Sequence, residues 1–161
     1  MSHYIIEKIQ DIDDAILIAT IAHGDQKDLR GRPYIFHPIR VAEAVHMAGL
    51  SEEAVIAAAL HDTVEDTEMV IELLEDLAGA RVAFLVDLLS RREGQTYDQF
   101  IYRIVQSGDT EAARIKICDI EDNLREDRRL GDENEISRRK RYHDARDTLW
   151  DFLSGVEYEM D

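Results

Sequence analysis

The sequence predicts an all-α fold, a single compact helical bundle spanning residues 1–161. Three observations carry this. Apolar residues recur at three- and four-residue spacing along most of the chain. Alanine and the aliphatic residues dominate the apolar fraction, while aromatics make up 7% and prolines number two, a balance that favours helices over strands. Glycines fall mainly between the periodic segments, where they end helices. With 161 residues the chain can bury one substantial core.

Taken in order, Ile5, Ile9, Ile12, Ile16 and Ile18-Ala19 mark a first helix over about residues 4–23. Residues 24–37, with two glycines and Pro33, form a loop. Pro38 suits the first turn of a second helix that runs to about Met47 and stops before Gly49. Ser51 is the expected N-cap of a third helix over about 52–62. Thr67 is expected to cap a fourth over about 68–78, which Gly79 ends. Residues 80–90 read as a short buried helix, residues 91–95 as a connector, and helices follow at about 96–106, 109–127 and 134–154. Repeats, low-complexity tracts and long linkers are absent from the sequence.

The net charge of −16 argues against a general nucleic-acid binder, which needs a basic footprint, and against adsorption to anionic membranes. A small phosphorylated substrate remains compatible, because a few local cations and a divalent ion can reverse the field inside one cleft. No apolar run approaches the roughly 20 residues that span a bilayer. Met1-Ser2-His3-Tyr4 and the charges that follow lack a signal-peptide core, so the expected location is cytoplasmic. Cys118, the single cysteine, excludes an internal disulfide and reads as a small buried side chain. An exposed apolar helix face leaves room for a homodimer.

The chemistry concentrates where the apolar run Ala54-Val55-Ile56-Ala57-Ala58-Ala59-Leu60 meets His61-Asp62, with Glu65-Asp66 close behind. Ionisable groups at the end of a helix with almost no polar face are costly unless paired or bound to a metal. Imidazole and carboxylate together suit Mn, Fe, Zn or a similar divalent ion. The plainer reading, a run of solvated acids at a helix end, weighs about as much for His61-Asp62 alone. In residues 112–124, Ala113, Ile117, Ile120 and Leu124 form an apolar stripe, and Lys116, Asp119 and Asn123 form a polar stripe beside it. By itself that polar stripe is a surface feature, and His37 before Pro38 is by itself a cap or surface histidine. His23 ends the first helix and supports the loop, while His3, His46 and His143 read as structural or exposed.

The order His37, His61-Asp62, Asp119 resembles the H…HD…D pattern of HD-domain metal phosphohydrolases. The segments Gly31-Arg32-Pro33-Tyr34-Ile35-Phe36-His37-Pro38, Ala58-Ala59-Leu60-His61-Asp62-Thr63-Val64-Glu65-Asp66-Thr67 and Lys116-Ile117-Cys118-Asp119-Ile120-Glu121-Asp122-Asn123 are similar to the hydrolase domain of the RelA/SpoT group and its small stand-alone alarmone hydrolases. The resemblance covers about residues 20–130, and no companion synthetase domain is expected in the remaining residues. It implies one divalent ion, usually manganese, held by His37, His61, Asp62 and Asp119. It implies that Glu65 and Asp66 position or activate the attacking water, and that Asn123 shapes the pocket. The reaction it implies is removal of pyrophosphate from the 3′ position of guanosine tetra- or pentaphosphate.

One departure bears on the substrate. The family loop presents an Arg-Lys pair to base and phosphates, and here the stretch is Gln26-Lys27-Asp28-Leu29-Arg30. Lys27 and Arg30 are the candidates left in it, with Arg32 as a further compensation and Lys116 as a phosphate contact or core-edge ion pair. Arg91-Arg92, Arg125 and Arg128-Arg129 are additional candidates for anion contacts, whereas Arg138 to Arg141 read as a solvated helix face paired with acids. Two other functions stay open: a phosphohydrolase of another phosphorylated metabolite or nucleotide, such as the 2′-phosphate of NADPH, and a non-catalytic binding or regulatory HD domain.

Overall fold

A computed structural model describes residues 8–159 of the chain, with side chains through residue 155. Among the described residues there are nine α-helices: α1 (Ile12–His23), α2 (Phe36–Met47), α3 (Glu52–Leu60), α4 (Thr63–Asp66), α5 (Ile71–Ala78), α6 (Ala80–Leu89), α7 (Tyr97–Ser107), α8 (Thr110–Asn123) and α9 (Glu135–Glu159). A single 3-10 turn, Glu126–Arg128, links α8 to the approach of α9. The only strand-like pairing among them is an isolated bridge between Lys27 and Pro33 in the α1–α2 loop.

The centre of the bundle is α3. Every residue from Ala54 to Leu60 is buried, and α1, α2, α6 and α8 pack around it. A helix apolar on all sides belongs in the interior, and its alanines let neighbouring helices approach closely. Consequently whatever follows Leu60 is delivered from the core to the edge of the bundle.

The helix boundaries follow local chemistry. Asp11 caps α1 by accepting from the N–H groups of Asp13 and Asp14, Ser51 caps α3 through Ala54 N, and Thr96 with Gln99 forms a reciprocal capping box on α7. Gly108 closes α7 with φ of 70°, a left-handed conformation that a side chain would oppose. Two expectations need correction. The first helix starts at Ile12, not at about residue 4: Ile9 is buried but non-helical, its N–H donating to Leu77 O at 2.7 Å, while residues 4–7 and His3 lie outside the described residues. Thr67 does not cap a following helix. It closes α4, its hydroxyl donating back to Thr63 O at 2.6 Å, and α5 begins only at Ile71.

Away from the end of α3, Asp109 joins three helices. It caps α8 through Ala112 N at 2.9 Å and pairs with Arg81 of α6. Arg81 also bonds Glu111, which accepts from Ser51 N at the start of α3. Burial opposes the charge of Asp109 and Glu111, but Arg81 and the backbone donors outweigh it and hold both carboxyls below their ordinary values. Groups depressed in the folded state contribute stability above their unfolded pKa values, about 3.9 and 4.3, and lose it as pH falls through the folded values. Asp109→Ala is therefore expected to cost ~1–2 kcal/mol at pH 7, mostly as a lost cap because Arg81 is partly exposed. Urea melts of wild type and variant should differ fully at pH 7 and converge below about pH 4. An equal gap at pH 3 and pH 7 would contradict this account.

Candidate metal centre and its cavity

Three helix ends meet where α3 leaves the core. His37 sits in the first turn of α2, His61 is the C-cap of α3, Asp62 leads into α4, and Asp119 lies on the inner face of α8. His37 Nε2 lies 3.0 Å from Asp119 Oδ1 and 3.6 Å from Asp62 Oδ2. His61 Nε2 lies 3.0 Å from Asp62 Oδ2 and 3.6 Å from Asp119 Oδ1. Both histidines and Asp119 are buried and Asp62 is half-buried. The ligand atoms of His37, His61 and Asp62 all fall within 4.8 Å of one another, a spacing that could hold a metal ion.

The hydrogen bonds around the two rings fit such an ion. His37 Nδ1 donates to Asp122 Oδ2 at 2.7 Å and His61 Nδ1 donates to Ala58 O at 2.7 Å. Both rings thus turn Nε2 toward the carboxylates. His61 Nε2 is buried and, although 3.0 Å from Asp62 Oδ2, makes no aligned hydrogen bond among the described residues, and a buried polar atom without a hydrogen bond calls for a partner. A divalent cation between two imidazole nitrogens and two carboxylates supplies it. The same crowding governs proton affinity. Burial pulls both histidines down, yet Asp119 and Asp122 around His37, and Asp62 and Asp119 around His61, hold them above their ordinary value. Burial pushes Asp62 and Asp119 up, but the histidines, with Lys116 for Asp119, hold both well below the usual carboxylate range.

A second layer fixes these groups. Asp122 receives His37, a two-pronged Arg40 at 2.6 and 2.9 Å, and Arg128 at 3.3 Å. A carboxylate behind a ligating imidazole sets its tautomer and orientation. Tyr34 donates its hydroxyl to Asp62 Oδ2 at 2.5 Å, and its ring rests 4.9 Å from the buried His23 ring. Lys116 Nζ donates to Asp119 Oδ2 at 2.7 Å and lies 4.7 Å from the Phe100 ring centroid. Asn123 donates to Asp119 Oδ1 at 2.8 Å and accepts from Arg128 at 3.0 Å.

These groups open onto a cavity of about 280 Å³ lined by Tyr34, His37, Asp62 and Asp119 on one side, with Glu65 and Asp66 beside them and Arg91, Tyr97, Lys116, Asn123, Arg141 and Tyr142 completing the wall. Glu65 Oε2 accepts from Arg91 N at 2.8 Å. Asp66 is pushed up to about 6, first by burial and then by the negative charges of Asp62 and Glu65.

Of the residues the sequence singles out, His37, His61, Asp62 and Asp119 come together, and Glu65, Asp66, Lys116 and Asn123 flank them. Lys27 and Arg30 do not reach this wall. Lys27 is exposed, and Arg30 donates to the carbonyls of Asp127 and Arg129, beside a separate recess of about 70 Å³. Asp28 curls the loop on itself: Oδ1 accepts from Arg30 N and Arg32 N, and Oδ2 from Arg32 Nε, each at 2.9 Å. Gln26, in the same stretch, bonds His23 and Asp66 O. Cys118 is half-buried, and burial pushes its thiol up to about 11. Sequence reasoning passed over Asp122, Tyr34 and Tyr97; Arg141, read with its neighbours as a solvated face paired with acids, is exposed but has no acidic partner among the described residues and lines the cavity. Only Asp122 had a local signal, three residues after Asp119 on the same helix.

Comparison with known proteins agrees with this geometry. The family model for the HD domain matches residues 15–127. A guanosine-3′,5′-bis(diphosphate) 3′-pyrophosphohydrolase of Aquifex aeolicus is 33% identical over 133 residues, covering 78% of this chain and 19% of that protein. The enzyme of the same name from Haemophilus influenzae is 36% identical over 118 residues, 68% of this chain and 17% of its own. The chain thus spans about a fifth of the length of these curated relatives. Among solved structures, a metazoan ortholog of SpoT described as hydrolysing ppGpp superimposes with a TM-score of 0.72 at 25% identity, covering 96% of this chain and 89% of that one. With the pattern of residues, the helical architecture and the family match in agreement, this chain belongs to the HD-domain family.

Proposed function

We propose that the chain is a metal-dependent nucleotide pyrophosphohydrolase that removes pyrophosphate from the 3′ position of guanosine 3′,5′-bis(diphosphate). One observation carries the reading: four donors from α2, the α3–α4 junction and α8 converge around a buried His61 Nε2 that makes no aligned hydrogen bond, with an acidic pair next to them on the same cavity wall. The relatives' names supply the substrate. In this reading His37, His61, Asp62 and Asp119 hold one divalent ion, Mn²⁺ in our assignment. Such an ion, when bound, acidifies water and neutralises phosphate oxygens.

The chain's own residues do the rest. Water adds to the phosphorus attached to the 3′ oxygen, that ester bond breaks, the 3′ hydroxyl is restored and pyrophosphate departs. The proton that water loses passes to the Glu65–Asp66 pair, and a proton is returned to the leaving oxygen. Tyr34 keeps Asp62 turned inward, Asn123 and Lys116 hold both oxygens of Asp119, and Asp122 holds His37. No helix among the described residues is long and apolar enough to cross a membrane, and we assign the reaction to the cytoplasm.

The altered loop supports a second reading. Gln26 is tucked against Asp66, Arg30 bonds the carbonyls of Asp127 and Arg129, and none of Lys27, Arg30 and Arg32 lines the cavity, so another phosphorylated nucleotide fits the same chemistry. Incubating the Mn²⁺-loaded protein with guanosine tetraphosphate, NADPH and a panel of nucleotides separates the readings. Pyrophosphate release from guanosine tetraphosphate is the expected result. Orthophosphate released from another nucleotide alone moves the assignment to the second reading. Absence of turnover with metal bound sinks both and leaves a binding domain.

A further inference from the structure

The cavity wall away from the metal residues holds groups that the proposed reaction does not use. Arg91 follows α6, Tyr97 is the first residue of α7, and Arg141 lies on α9. All three line the 280 Å³ cavity. The chain carries 35 acidic residues against 19 lysines and arginines, and most of its arginines are ion-paired. Arg91 and Arg141 have no carboxylate within ion-pair distance among the described residues, although neighbours on the same elements do: Arg92 pairs with Asp87, Arg138 with Asp132 and Lys140 with Asp144. Arg141 instead stands 5.4 Å from the Tyr97 ring centroid. The Tyr97 hydroxyl is buried and has no partner among the described residues. Its ring is held by Phe100 at 6.0 Å and Tyr142 at 5.9 Å.

An orphaned hydroxyl donor and two unpaired guanidinium groups on one concave surface make a site for an anion with several acceptor oxygens. Guanidinium donors match phosphoryl oxygens in fork geometry. The Arg91 backbone N–H already grips Glu65, so an anion held by this wall lies next to the acidic pair while its own charge meets arginine.

We propose that Arg91, Tyr97 and Arg141 form a phosphoryl grip. It binds a phosphate group of the substrate other than the one attacked and so selects substrates that carry at least two phosphoryl groups. The inference rests on the proposed function for where attack occurs, but its test does not need turnover.

Inorganic pyrophosphate is titrated calorimetrically into the Mn²⁺-loaded protein with Mn²⁺ in excess, and metal content is measured in parallel. The wild type should bind it. The double variant Arg91→Gln/Arg141→Gln should weaken binding about 10- to 100-fold with metal content unchanged, the size expected for losing charge-assisted donors. Tyr97→Phe, which keeps the ring packing, should lose about threefold to tenfold. Arg141→Lys should recover part of the loss. With whichever nucleotide is turned over, the same variants should raise KM about tenfold or more while kcat changes far less. Pyrophosphate binding that is absent in wild type, or equal in wild type and double variant, overturns the grip. A nucleotide panel without turnover beside normal pyrophosphate discrimination overturns the reaction and leaves the grip standing.

Discussion

Asp62→Ala is expected to emerge from purification without metal and without activity. The expected loss of turnover is at least about a thousandfold, because the variant removes an ion that supplies several kcal/mol of charge stabilisation. Metal content measured after gel filtration should fall from near one ion per chain to near zero in the same sample. The physical reason lies in what surrounds the missing carboxylate. Asp62 Oδ2 stands 3.0 Å from His61 Nε2 and 3.6 Å from His37 Nε2, so it faces both imidazoles. Without it the balance of two carboxylates against two imidazoles is broken, and Tyr34 loses the acceptor of its hydroxyl. Removing one partner of a buried charged network leaves the others uncompensated. A folded Asp62→Ala protein that kept stoichiometric metal would remove Asp62 from the ligand set. One that kept full activity would remove the metal from the reaction.

Much of the architecture is readable from local pattern. The capping signal at Ser51 and the glycine signal at Gly79 act over a few residues, and the structure has its helix ends there. The polar stripe Lys116, Asp119, Asn123 is also local, and it appears as a ladder with Asp119 between the other two. What sequence reasoning mistook involves contacts it could not count. Asp122 is defined by His37, 85 residues earlier, and Arg40, 82 residues earlier, so its role exists only in the fold. Arg141 sits among acids on α9, and helical spacing predicts surface ion pairs. In the fold it is exposed, stands 5.4 Å from the Tyr97 ring centroid on another helix and lines the cavity. The Arg30–Arg32 stretch is directed by the side chain of Asp28, which gathers the loop's own donors. Thr67 carries the signature of a helix start, yet α4 is one turn long and takes the hydroxyl for its own end.

Glu65→Gln and Asp66→Asn should separate rate from metal. Both keep side-chain size and remove a charge, and both residues lie on the cavity wall outside the group of converging donors. Metal content should stay at the wild-type level, while kcat falls about 10²- to 10⁴-fold, the usual contribution of a placed acid or base. At about 1.36 kcal/mol per factor of ten, that is ~3–5 kcal/mol of barrier. The two residues are not equivalent. Glu65 is tied to the Arg91 N–H, which fixes one of its oxygens, and it lines the cavity. Asp66 is anchored through its backbone, its N–H donating to Asp62 O at 2.9 Å and its carbonyl accepting from Gln26 at 2.8 Å, so its carboxyl moves with the α3–α4 junction. Burial together with the Asp62 and Glu65 charges raises Asp66 to about 6, so its carboxyl takes up a proton near neutral pH. Asp66→Asn should therefore cost the proton-holding step, and Glu65→Gln the capture of the proton from attacking water. A wild-type rate in either variant removes that residue from the proposed chemistry. Loss of metal in both would reassign the pair to the coordination sphere and leave the water without a base.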